Sequence, residues 1–363
     1  MEKIFVVIMA GGAGSRFWPR SKSSMPKQFL DIAGTGRTLF QMTFDRFRGI
    51  CPPEHCFVVT SNDYRELVAA QLPELHSSQI LLEPVRRNTA PCIAYACQRI
   101  RRIAPDASII VAPSDHLIMQ EQLFCRHINA GLAFIDANPS AIVTLGVKPR
   151  YAEPEYGYIQ FQEKVRFGGT DNLYKVKTFV EKPSPEMADV FVDSGEFLWN
   201  AGIYIWKLPT ILTAFERWLG DVDALFRSGA QYYGTDREQA FINKIYPDCR
   251  SISVDFGIME YADSVYVLSA DIGWSDLETW SALYSAVRKD ADANATNGDS
   301  IALYDTRNCL VDVPDGKIAI LEGLDGYIVV DTPDTLLVCR REHEQQLQQF
   351  VDDVRSKKGI QFV

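Results

Sequence analysis

The 363-residue chain is 47% apolar and 23% charged, with a formal net charge of −10, the balance of a globular protein long enough for two domains. The negative charge argues against a nucleic-acid binder, which would show a basic face, and no apolar run reaches the length of a membrane span. Eight cysteines without a CxxC pair, in a sequence that opens on a core strand rather than a secretion signal, read as reduced thiols of a cytoplasmic protein.

Ile4–Met9 is continuously apolar rather than alternating, which predicts a buried parallel strand. It leads through Ala10 into Gly11, Gly12 and Gly14, where glycines permit positive φ and expose backbone N–H groups to a ligand. Arg16, Arg20, Lys22 and Lys27 follow, and no Asp or Glu occurs from Phe5 to Leu30. Bare amides followed by cations at the carboxyl end of a strand outline a polyphosphate cradle. The dinucleotide fingerprint would need a third glycine where Phe17 stands, and the ATPase loop needs a Gly-Lys-Ser/Thr that is absent here.

Strand-like and helix-like stretches then alternate. Phe40, Phe44 and Phe47 recur at helical spacing after Thr38, a candidate cap. Strands are predicted at 56–61, 79–84, 108–116 and 141–147, with helices at 64–72, 89–104 and about 123–137. Repeated strand–helix–strand units imply an α/β fold with a parallel sheet covered by helices on both sides. Active groups should collect at the carboxyl ends of the strands, where 11–27, 83–88 and 114–116 lie. From Tyr151 the texture changes. Segments 155–161, 173–183 and 197–207 read as strands, with a short helix at 185–192. Helical stretches run to about Lys244, SISVDFGIMEY (251–261) and VYVLSAD (265–271) follow, and GWSDLETWSAL (273–283) turns into a helix. Residues 290–299 are small and polar, a predicted linker. Five short strands spaced by about ten residues come next, a small β-solenoid or sandwich. A terminal helix presents Leu347, Phe350, Val351 and Val354 on one face, with Gly359 as its stop. No catalytic constellation stands out in this tail, so packing or subunit association, a homodimer included, is expected of it.

GGAGSRFWPRSKSSMPKQFL (11–30) closely resembles the signature of the sugar-1-phosphate nucleotidyltransferases, in particular those that couple GTP to mannose 1-phosphate. The resemblance extends in ordered motifs over residues 1–285 and more loosely into the tail. It implies a Rossmann-like mixed, mainly parallel sheet flanked by helices (1–288) and a small β-solenoid-like domain ending in a helix (299–363). It also implies a Mg²⁺-dependent in-line attack by the sugar-phosphate oxygen on the α-phosphorus of GTP, with no covalent enzyme intermediate. Protein groups would then act by positioning and charge stabilisation.

By resemblance, Arg16 stabilises the transition state and Lys27 the phosphates, while Ala10, Gly11, Gly12, Gly14 and Ser15 line the loop. EPVRRNTAP (83–91) matches the base-recognition segment, with Glu83 accepting from guanine N1–H and the exocyclic amine, and Asn88 and Thr89 at the helix start. Asn88 caps that helix, contacts the nucleotide, or does both. In PSDH (113–116), Ser114 joins the nucleotide site and Asp115 is a Mg²⁺ ligand, with Asp276 of GWSDLETW as the second acid. His116 reads as structural. Gly157 and Tyr158, Glu181 and Lys182 of FVEKP, and Asn200 of WNAGIY would hold the sugar and its phosphate. Arg86, Glu278 and Tyr261 depart from the family pattern, Glu278 by standing where glycine is common after Trp-Ser-Asp. The sequence ends without the isomerase domain of some longer relatives, so a single activity is expected. Competing expectations keep the chemistry but change the sugar (a manno-heptose 1-phosphate) or the base (thymine or uracil), or make the chain a silent GDP-sugar-binding regulator.

Overall fold

A computed structural model describes residues 3–12 and 15–363 of the protein, and of Ser15 the backbone. Among these residues no helix is long and apolar enough to cross a membrane. The chain forms two compact units, each assembled from separated segments.

The first unit comprises residues 1–11, 43–114 and 118–274. Its centre is a nine-stranded sheet. Strands β1 (Ile4–Met9), β2 (Cys56–Ser61), β3 (Ile80–Glu83) and β4 (Ser108–Pro113) lie side by side in the order β3-β2-β1-β4 and are all parallel. Each is buried almost end to end, as expected of strands covered on both faces. The long strand Phe197–Lys207 then runs antiparallel between β4 and Ile142–Val147. Val265–Ser269 continues the parallel direction, and the hairpin Tyr158–Phe167/Thr170–Val180 closes the far edge. The sheet is therefore mixed, with its core strands parallel.

Alternate side chains along each strand face opposite sides, which sorts the two helical layers. Phe5, Val7, Ile109, Val111, Ile142 and Trp206 share a cluster with Ala90, Ile93, Cys97 and Ile100 of the helix Thr89–Arg101. The neighbours of opposite parity, Val143 and Ile205, meet the helix Glu121–Ala137 at Gly131, where a Cβ would come 2.5 Å from Ile205 Cδ1. Close helix–sheet packing requires glycine at that point. Residues 255–259 of SISVDFGIMEY form one π-helical turn.

The second unit comprises residues 12–42, 115–117 and 275–363, so it unites the cationic loop with the tail. Phe17 and Trp18 pack with Trp280, Leu310, Ile328 and Val330 in one buried cluster. Phe17 meets the Trp280 ring edge-on at 4.8 Å. In the tail, Leu310–Asp312 pairs in parallel with Tyr327–Asp331, and Ile301–Tyr304 with Ala319–Glu322, both at offsets of 18 residues. Successive parallel coils make a solenoid rather than a sandwich. The five expected strands begin at Ile301, Leu310, Ala319, Tyr327 and Leu336, close to the expected spacing, and alternate ones pair to make coils of two strands. One element departs from expectation. The predicted linker contributes Ala295–Asn297 as a further strand, parallel to Leu310–Asp312, because its backbone N–H and C=O groups are taken into the first coil. The terminal helix Leu347–Lys357 buries Leu347 and Val351, with Phe350 and Val354 alongside.

Candidate active site

In the first unit the carboxyl ends of β1 and β3 converge. Glu83, the last residue of β3, is buried and accepts a hydrogen bond from the Tyr246 hydroxyl. Gly11 lies directly against it, since a Cβ there would sit 2.7 Å from Glu83 Oε2. The requirement for glycine at 11 is thus close approach to a carboxylate. Neither Gly11 nor Gly12 has positive φ, contrary to the sequence-based expectation, and a Cβ at Gly12 would meet nothing within 4 Å. Gly14 and the Ser15 side chain lie outside the described residues. Ala10 is buried, its N–H donating to Val59 O at 2.8 Å and its carbonyl accepting from Thr60 Oγ1 at 2.9 Å.

Burial pushes the Glu83 carboxyl up to about 7, against the lowering influence of the Tyr246 hydrogen bond and the Arg86 charge. Arg86, a departure from the family pattern, donates to Tyr64 Oη at 2.8 Å. Asn88 is exposed and caps the helix Thr89–Arg101, its Oδ1 accepting from Thr89 N at 2.8 Å. That cap leaves the amide nitrogen for a ligand, so capping and binding are compatible. Asn88 also holds φ 66°, ψ −168°, a region otherwise nearly confined to glycine. Thr89 Oγ1 accepts from Val254 N at 2.9 Å, and Ser114 is buried, its N–H on Met9 O at 3.0 Å.

The residues expected on the sugar side, in the same unit, converge only in part. Glu181 is exposed and accepts from Ser253 Oγ at 2.9 Å. Lys182, at φ 49°, pairs with Glu155 at 3.4 Å. Gly157 accepts from Asn200 N through its carbonyl at 2.8 Å. Tyr158 is fully buried, and its hydroxyl is engaged with the Glu153 backbone, so its side chain faces the core rather than a ligand. Asn200 is likewise committed. Its Nδ2 donates to Asp255 Oδ1 at 2.8 Å and to Tyr204 Oη at 3.1 Å, and its Oδ1 accepts from Gly202 N at 3.0 Å. The amide expected to face sugar hydroxyls thus also positions Asp255.

Asp255, which the sequence did not single out, opens the π-helical turn and also accepts from the Tyr204 hydroxyl. Burial raises its carboxyl to about 6, with Glu181 adding to the rise and the Tyr204 and Asn200 hydrogen bonds opposing it. Glu260 is raised too, by burial and then by Glu181. Three acids therefore share this region, and a π-turn inside a motif was the missing signal.

In the second unit the groups expected to act at the phosphates form one cluster. Lys27 is 3% exposed. Its ammonium donates to the Asp276 carbonyl at 2.7 Å and the Leu277 carbonyl at 3.2 Å, and pairs with Asp115 Oδ2 at 3.1 Å. Burial would discharge Lys27, but Asp115, Glu278 and Asp276 outweigh it and raise its pKa, so the cation persists at neutral pH. Burial likewise acts to raise Asp115, yet Lys27 and then His116 hold it below the usual carboxylate range. Arg16 Nε meets Glu278 Oε2 at 2.7 Å. Gln28, which sequence reasoning passed over, donates to Gly12 O at 2.9 Å and ties the loop to the Lys27 turn. Arg20 and Lys22 are taken by the tail, on Asp312 at 3.3 Å and Asp334 at 2.5 Å.

The donor set can be tested against a metal. Among the described residues no group of three or more His, Cys, Asp or Glu forms a cage for an ion. Asp115 and Asp276 nevertheless both act on Lys27, and two carboxylates suit Mg²⁺, which takes its remaining oxygens from phosphate and water.

Glycines at a strand's carboxyl end, followed in sequence by a buried lysine paired with carboxylates, suit a ligand that carries phosphates. The nucleotidyl transferase family model matches residues 5–293, and the chain belongs to that family. A model of the MannoseP isomerase/GMP-like beta-helix domain matches residues 298–354. Among its relatives, mannose-1-phosphate guanylyltransferase 2 of Escherichia coli O157:H7 is 34% identical over 99% of this chain and 75% of its own length. The alginate biosynthesis protein AlgA of Pseudomonas putida is 32% identical over 95% of this chain and 70% of its own. The crystal structure of mannose-1-phosphate geranyltransferase from Thermus thermophilus superposes with a TM-score of 0.85 over 97% of this chain and 99% of that one, at 27% identity.

Proposed function

We propose that this protein is a mannose-1-phosphate guanylyltransferase, converting GTP and α-mannose 1-phosphate to GDP-mannose and pyrophosphate. The observation that carries the reading is the Lys27 cluster: a buried lysine held by Asp115 and the Asp276–Leu277 carbonyls. It is supported by relatives that bear this activity in their names.

In this mechanism Glu83, ionised, accepts from guanine N1–H and the exocyclic amine, a pair that adenine does not offer. The Asn88 amide contacts base or ribose. Arg16 and Lys27 hold the phosphates and stabilise the charge that builds on the α-phosphate as the sugar-phosphate oxygen attacks in line and pyrophosphate leaves. Asp115 and Asp276 would hold Mg²⁺, whose charge when bound neutralises the phosphates. Lys182 takes the sugar's phosphate, and Glu181 with Asp255 accepts from sugar hydroxyls. No base is needed, since the attacking phosphate is already ionised at neutral pH.

Product analysis by phosphorus NMR tests this directly. GDP-mannose should accumulate from GTP and α-mannose 1-phosphate, and turnover with dTTP but not GTP would sink the guanine assignment. Binding of GDP-mannose without turnover would favour the silent regulator.

A further inference from the structure

Glu278 sits two residues beyond Asp276, on a turn that is built to aim it. Leu277 between them is fully buried and holds φ 47°, a backbone conformation that costs a leucine free energy. Asp276 Oδ1 accepts from the Glu278 N–H at 3.3 Å. The carboxylate so placed reaches two cations at once, Oε2 at 2.7 Å from Arg16 Nε and Oε1 at 3.7 Å from Lys27 Nζ. An anion bridging an arginine and a lysine through two oxygens presents what a phosphate presents to the same pair.

We propose that Glu278 is an internal phosphate mimic that competes with the nucleotide's phosphates for Arg16 and Lys27 and so sets nucleotide affinity. This rests on the reading of Arg16 and Lys27 as phosphate-binding groups.

The charge balance of the cluster sharpens the point. Arg16 and Lys27 contribute two positive charges, whereas Asp115, Asp276 and Glu278 contribute three negative ones. With Glu278 the cluster is net negative and opposes a triphosphate; without it the cluster is neutral. A polyphosphate arriving alone must displace Glu278 from both cations and work against that charge. One arriving with a divalent cation brings its own neutralisation. Glu278 therefore ties nucleotide binding to the metal, and it does so by competition rather than as an extra ligand.

The two roles predict opposite effects of one substitution. Calorimetric titration of the full chain with GTP, and separately with inorganic pyrophosphate, is run in EDTA and then in excess Mg²⁺. In EDTA, Glu278→Gln and Glu278→Gly should each bind both ligands about tenfold more tightly than wild type, the scale of one partly screened charge pair. The gain should shrink in Mg²⁺ and with added salt. Glu322→Gln, which removes an exposed tail carboxylate, controls for net charge and should change nothing. Affinity tightened less than about threefold in EDTA would overturn the competition, given that a removed charge pair should exceed that. Weaker binding by both variants in Mg²⁺ would do the same, assigning Glu278 to the metal instead. Failure of the wild type and both variants to bind GTP or pyrophosphate under any condition would sink the phosphate-site reading itself, and the inference with it.

Discussion

The proposed chemistry of Glu83 and its burial pull in opposite directions. Reading guanine requires the carboxylate, yet burial lifts its pKa to about 7. A carboxyl raised above its unfolded value binds protons more tightly in the folded state, so stability is lost as pH rises from the ordinary glutamate range through about 7. Glu83→Gln, neutral throughout, should escape that loss. Its melting temperature should match wild type near pH 4 and exceed it increasingly up to pH 8, while KM for GTP rises; a difference independent of pH would contradict the assignment. At the phosphates, Arg16→Ala and Asp276→Asn should each lower kcat by at least about a hundredfold, as when one preorganised charge-stabilising group is removed. Asp115→Asn should chiefly raise the Mg²⁺ requirement. Lys27, Asp115, Asp276, Glu83 and Asn88 were legible because each stands in a contiguous motif. Tyr246 and Asp255 were not, since their partners lie 163 and 55 residues away in sequence. Tyr158 was read as a ligand contact from its motif, but its ring is fully buried and its hydroxyl is held by the Glu153 backbone. The hydrogen bonds of half-buried Asn200 to Asp255 and Tyr204 were likewise out of reach of the sequence.

At the scale of elements, three strained residues fall inside motifs: Asn88 at φ 66°, Lys182 at φ 49° and Leu277 at φ 47°. Each ends or turns a segment that carries proposed ligand contacts, the usual place for stored strain. Asn88 offers the cleanest test, because its cap and its strain can be separated from its amide. Asn88→Gly relieves strain of about 1–3 kcal/mol and forfeits only a few tenths from the cap. The variant should melt at or above the wild-type temperature yet show a raised KM for GTP. A stability loss with unchanged KM would leave Asn88 a cap and nothing more. The strands were read well from continuous apolar runs, and Ile4–Met9 and Cys56–Ser61 match to the residue. Short polar elements were not. Ala295–Asn297 has no hydrophobic pattern to betray it, and its pairing with Leu310–Asp312 depends on the coil that follows.

Across the whole molecule, long-range packing assigns the cationic loop to the same compact unit as the tail. Phe17 and Trp18 share a buried cluster with Trp280 and with tail residues such as Ile328 and Val330. The Trp280 indole N–H donates to Trp18 O at 3.3 Å. The tail is therefore structural support for the loop's unit. Trp280→Ala should lower stability by about 3–5 kcal/mol, the range for emptying a buried tryptophan site, read as a fall in the urea midpoint. An unfolding free energy within about 0.5 kcal/mol of wild type, the level of an ordinary surface change, would remove the tail from that role. The alternation of strand-like and helix-like stretches correctly described an α/β protein with a β-rich tail, but no local pattern announces that residues 12–42 and 275–363 fold together.

The reaction itself is read by pyrophosphate release from GTP and mannose 1-phosphate, with and without Mg²⁺, beside Arg16→Ala and Asp276→Asn. Release that needs GTP, mannose 1-phosphate and Mg²⁺ together, and that both substitutions depress, is the predicted result. Release from another nucleotide in preference to GTP, or wild-type rates in both variants, would contradict the account.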